Sequence, residues 1–161
     1  MLSMQPDNYS SRRPNSASIG TRAYQMALFV VFESGLQMLA DNPTLYYRND
    51  DCTRFISSVP LLWDDTRVLS ARLGDHLVVA KRNADRWFLG GITGERKEAF
   101  EAEFTLDFLP EGQTFTLTSF EDGINADRQA MHYTKSSRQV RKGDTIKVRM
   151  VRNGGYAATI E

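Results

Sequence analysis

Hydrophobic and polar positions follow two rhythms along this chain, and the change between them falls near Trp63. Ahead of it, Ala23, Met26, Ala27, Phe29, Val30, Val31 and Phe32 form a run with almost no charge. Thr21 stands before that run and can cap a helix N-terminus through its hydroxyl. A helix apolar nearly all round has to be covered on more than one side. Ser34-Gly35 breaks the run, and Leu36-Gln37-Met38-Leu39-Ala40 follows, closed by the turn signal Asp41-Asn42-Pro43. Periodicity allows this piece to be either continued helix or buried strand, and the interrupting Gly35 favours a parallel strand. A shorter helix is expected over Asp51 to Ser58, capped by Asp50 or Asp51 and stopped before Pro60. Residues 21–62 thus read as helix, strand, loop, helix: the closing units of an α/β repeat without its neighbours.

Beyond Trp63 the period becomes two. His76, Val78 and Ala80 alternate with Leu77, Val79 and Lys81. Phe100, Ala102, Phe104, Leu106 and Phe108 share one face, with Glu101, Glu103, Thr105 and Asp107 on the other. Phe115 and Leu117 alternate with threonines, and Ile146, Val148 and Met150 alternate with Lys147 and Arg149. Strict alternation marks strands with one face in a core and one in water. Turn-forming joints, among them Gly74-Asp75, Pro110-Glu111-Gly112 and Asn153-Gly154-Gly155, separate the runs. The fold class is therefore mostly β with an N-terminal α/β piece, its sheet part an antiparallel β-sandwich over residues 63–161 with about seven or eight strands. Residues 1–20, rich in serine with Arg12, Arg13 and two prolines, read as a polar tail or loop.

Composition narrows the function classes by exclusion. The 161 residues carry 20 Lys and Arg against 20 Asp and Glu, and a neutral chain argues against a dedicated nucleic-acid binder. No apolar run approaches the roughly 20 residues of a membrane helix, and the N-terminus lacks the apolar stretch of a signal peptide. Cys52 is alone, so no internal disulfide is possible.

Candidate chemistry is sparse. His76 and His132 are the only histidines and have no metal-ligand spacing. Asp122-Gly123-Ile124-Asn125-Ala126-Asp127 lacks the alternate carboxylates and closing Glu of a calcium loop, which leaves a structured turn. Gly90-Gly91-Ile92-Thr93-Gly94 fails phosphate-loop spacing and fits a strand end under close packing. No nucleophile elbow occurs. Glu101 and Glu103 read as a solvated stripe, with Arg138, Arg141, Lys142, Lys147, Arg149 and Arg152 as its opposite. Trp63, Trp87, Tyr46, Tyr47 and Tyr156 could stack on sugars or fill a core.

The order of four segments is more specific than any single residue. Thr21 through Pro43, Val59-Pro60-Leu61-Leu62-Trp63-Asp64-Asp65-Thr66, Trp87 through Thr93, and Phe120 through Arg128 together resemble glycoside hydrolase family 97, with Gly154-Gly155-Tyr156-Ala157 closing the match. The resemblance implies the C-terminal region of an enzyme that hydrolyses α-glucosides or α-galactosides. Residues 21–62 would be the last helix–strand–helix of a (β/α)8 barrel, and 63–161 a sandwich associated with oligomerisation. The catalytic carboxylates and the glutamates that hold calcium lie upstream in that family, so the resemblance assigns no catalytic and no metal-binding residue here. Asp41 would end the last barrel strand, where barrel sites sit, and it either contacts the sugar or caps the turn before Pro43. The implied partners are the catalytic barrel or a second copy of the chain, and an α-linked oligosaccharide at Asp41, with no nucleic acid or membrane. The implied location is periplasmic or extracellular, and Met1, falling in a barrel loop, implies a truncated or split gene product. The alternative function is a carbohydrate-binding sandwich gripping its ligand through Trp87 or Tyr156.

Overall fold

A computed structural model describes residues 3–12, 17–39 and 41–161. Eight strands lie between Asp65 and Ile160. Six of them form one antiparallel sheet: β3 (Asp65–Arg72), β4 (His76–Asn83), β5 (Arg86–Thr93), β7 (Phe115–Asp122), β8 (Tyr133–Val140) and β10 (Gly155–Ile160), in the order β3-β4-β5-β10-β7-β8. The other two, β6 (Phe100–Thr105) and β9 (Thr145–Met150), pair antiparallel as a second layer. The alternating apolar residues of β6 and β9 point between the layers. There Phe104, Ile146, Val148 and Met150 meet Trp87, Leu89, Leu117, Tyr156 and Ile160 of the large sheet. The acidic and basic stripes face water opposite each other: Glu103 pairs with Lys147 at 3.2 Å, and Glu101 stands across from Arg149.

The other face of the large sheet is covered by helices. α1 (Arg22–Val31) lies on β5 and β10, followed by α2 (Pro43–Arg48) and α3 (Asp50–Ser58). Met26, Ala27, Val30, Phe55, Phe88 and Phe120 form this second core. Each buried Met or Phe side chain there contributes about 1.5–3 kcal/mol by leaving water. β10 is buried along all six residues because it lies between both cores, which explains its run of small and apolar residues.

Two expectations change. Residues 36–39 form no strand, and Leu36 and Met38 are 75% and 78% exposed; Ala40 lies outside the described residues. A parallel strand has no stability without a neighbour to complete its ladder, and no described strand pairs with this segment. Nor are the first twenty residues a loose tail throughout. β1 (Ser3–Met4) pairs in parallel with β2 (Ser18–Ile19), and the buried Gln5 donates from its amide to the carbonyls of Ala126 and Arg152 at 2.9 and 3.0 Å. Residues 13–16 lie outside the described residues.

Candidate functional site

The strongest local organisation is where α1 is fixed to the sandwich. Thr21 caps the helix as its sequence anticipates, accepting the Tyr24 N–H on its hydroxyl at 3.0 Å. The first turn is then tied to two sheet-side loops: the Thr21 N–H donates to the Asn153 carbonyl at 2.9 Å and the Arg22 N–H to that of Ala130 at 2.7 Å. Glycine permits the contact beneath. A Cβ on Gly155 would stand 2.3 Å from the Tyr24 Cα, and one on Gly90 would stand 2.9 Å from the Val30 Cβ. Gly90 thus serves the close packing expected of its strand end, and its partner is a helix.

Three polar groups hold the same junction. Asp122 accepts the N–H groups of Val151 and Gly155 on one carboxylate oxygen, at 2.9 and 3.1 Å. Burial raises its pKa to about 6, against the opposing pull of the Thr21 hydroxyl and these two N–H donors. Lys81, 2% exposed, donates to the Val31 carbonyl at 3.3 Å and pairs with Glu33 at 3.2 Å, so a cation meets the C-terminal end of α1. Arg22 donates to Asn49 at 2.7 Å and lies 5.4 Å over the Tyr133 ring, while the Tyr133 hydroxyl donates to the Asp51 carboxylate. Burial also pushes the Cys52 thiol above its ordinary pKa, which suits packing rather than reactivity.

The opposite side of α1 is partly open. Leu28, Phe29 and Phe32 line a shallow groove of about 260 Å³ with Leu36, Gln37 and Met38. Phe32 is 58% exposed, and with Leu36 and Met38 it makes an apolar patch of the kind that marks a contact surface. One helix therefore joins two surfaces, a sealed one toward the sheet and an open one away from it.

Asp41 stands immediately before α2. Its backbone N–H donates to the Tyr46 hydroxyl at 2.8 Å, and its carboxylate accepts the Asn42 N–H at 3.0 Å. Trp87 and Tyr156 are 5% and 1% exposed within the inner core, so neither ring can stack on a sugar. A binding module resting on those rings is excluded. His76 is held between Asp75 and Ser70 and stacks on Phe100 with ring centres 3.9 Å apart.

Among the described residues, no group of three or more His, Cys, Asp or Glu side chains is placed to hold a metal ion, and Asp122 is turned inward onto backbone N–H groups. Sequence reasoning missed Asp122 and Gln5, because nothing in a polar residue's local context announces that it is buried.

Known proteins match this arrangement. The family model described as "Glycosyl-hydrolase 97 C-terminal, oligomerisation" matches residues 62–161. A retaining alpha-galactosidase of Bacteroides thetaiotaomicron is 37% identical over 161 residues, all of this chain and 24% of its own length. A probable retaining alpha-galactosidase of Streptomyces bingchenggensis is 33% identical over 147 residues, 91% of this chain and 21% of its own. Among solved structures, a glycoside hydrolase family 97 enzyme from Pseudoalteromonas sp. strain K8, in complex with acarbose, superimposes with a TM-score of 0.80 at 32% identity, covering 88% of this chain and 22% of that one. The chain spans about a quarter of the length of the curated relatives it matches.

Proposed function

Because this chain belongs to glycoside hydrolase family 97, whose C-terminal domain it carries, we propose that it is the non-catalytic domain that braces the catalytic part of an α-glycosidase acting on α-galactosides or α-glucosides. The observation that supports this reading is the two-sided helix. The inner face of α1 is packed so closely on β5 and β10 that a methyl group has no room at Gly155, while Phe32, Leu36 and Met38 on the other side are exposed. Such a helix transmits position: whatever covers its outer face is fixed relative to the sandwich. The two carboxyl groups that glycoside hydrolysis requires, and the calcium that the resemblance implies, then belong to that other part. In this proposal Asp41 contacts the sugar.

Assayed alone on p-nitrophenyl α-galactoside and α-glucoside with calcium, the chain is expected to give no turnover above a buffer control; turnover overturns the proposal. A chimaera in which the chain replaces the matching quarter of the Bacteroides relative is expected to be folded and active. Phe32→Asp with Met38→Asp in that chimaera should lower its melting temperature and its activity together. Asp41→Ala should instead raise KM about three- to tenfold, the worth of one hydrogen bond, with the melting temperature unchanged.

A further inference from the structure

We propose that two copies of this chain pair through β8 across a twofold axis, joining their six-stranded sheets into one. This rests on the reading of the chain as a family-97 C-terminal domain and goes beyond it by naming the surface. β8 is an outer strand of the large sheet and presents a row of backbone N–H and C=O groups with no partner strand among the described residues. Its ladder with β7 runs through eight consecutive pairs without a register shift, and it contains no proline. At the other edge β3 is bulged between Val68 and Ser70, which twists that edge away from a flat partner.

The side chains specify which register closes. A twofold axis perpendicular to the sheet keeps each residue on its own face, so residues of like parity must oppose each other. With Ser136 opposite itself, Lys135 opposes Ser137, Thr134 opposes Arg138 and Tyr133 opposes Gln139, and no like charges stand directly opposite. The Ser136 hydroxyl is 2.9 Å from that of Ser119, which donates to Glu121 at 2.7 Å, so a hydroxyl row extends to the axis from each side. Arg138 and Glu121 make no ion pair among the described residues. Glu121 opposes Thr134 in the β7–β8 ladder, so this register places Arg138 of one copy in the row of Glu121 of the other. One strand lies between them, about 10 Å between Cα atoms, a span that an Arg and a Glu cover. Lys135, the charge that would guard the edge, lies back over its own Phe120 ring at 5.3 Å. Charge complementarity and an unblocked ladder thus select a second copy as the occupant.

Ser136→Cys tests the axis directly, because Cys52 is buried and leaves the new thiol as the reactive one. Mild oxidation of the full chain is expected to trap a covalent dimer of Ser136→Cys well ahead of Gln113→Cys, an exposed position off this edge. Arg138→Glu should weaken the dimer about tenfold in sedimentation equilibrium, two symmetric ion pairs being lost. A dimer in which Ser136→Cys cross-links no faster than the control, or which Arg138→Glu leaves unchanged, overturns the β8 surface. A chain that stays monomeric over its whole soluble range overturns it too. Bracing of the catalytic part is read separately in the chimaera and survives either result.

Discussion

Gly155→Ala is expected to cost about 3 kcal/mol or more of unfolding free energy, toward the upper end for a single added methyl group. The added carbon would lie 2.3 Å from the Tyr24 Cα, 2.4 Å from its N and 2.7 Å from the Ala23 carbonyl carbon. These are backbone atoms of a helix, and no rotamer moves them aside. The first turn of α1 must lift from β10, which strains the two backbone hydrogen bonds from Thr21 and Arg22 and opens the packing of Met26, Ala27 and Val30. Gly90→Ala meets the Val30 side chain at 2.9 Å and the Ala27 carbonyl oxygen at 3.1 Å, a milder collision farther along the helix. Urea unfolding should rank the two in that order. If Gly155→Ala unfolds within about 1 kcal/mol of the parent, α1 does not rest on β10 and the two-sided helix is lost with it.

That helix shows how far the sequence could be read. Its cap, its extent and its need for cover on more than one side all follow from the apolar run after Thr21, because those features are local. Most of the strands followed for the same reason: β6 and β9 are half-buried, so burial writes a period of two into them. β8 escaped because residues 134–139 are exposed on both faces and carry no alternation to detect. Leu36 to Leu39 misled in the opposite direction. The segment has a buried strand's composition, and here it lies exposed, since a strand is specified by its neighbours as much as by its own residues. Asp41 is singled out only by its place after that segment, and its hydrogen bonds to Tyr46 and Asn42 are local ones that a turn would make anyway. Trp87 and Tyr156 show the limit for single residues, since an aromatic ring that could bind sugar and one that fills a core have the same sequence signature.

Raising the pH from below 4 to above 6 should remove about 3 kcal/mol of stability through Asp122 alone, and Asp122→Asn should abolish that loss. The sign follows from the direction of the shift. Burial raises the folded-state pKa of Asp122 to about 6 from an ordinary 3.8, so between those values the folded chain holds a proton that the unfolded chain has released. Stability therefore falls as pH rises through the window and is level beyond it. Asp65 and Asp75 pull the other way and elsewhere: hydrogen bonds from Arg67 and His76 hold them below the usual carboxylate range, so what they contribute is lost only as the medium becomes more acidic than that range. An asparagine at position 122 keeps an oxygen for the Val151 and Gly155 N–H groups without burying a charge. Urea unfolding at a series of pH values, taken as the difference between parent and Asp122→Asn, isolates this group from every other titration. A flat difference would mean that the carboxylate is hydrated, and that the first turn of α1 does not close over it.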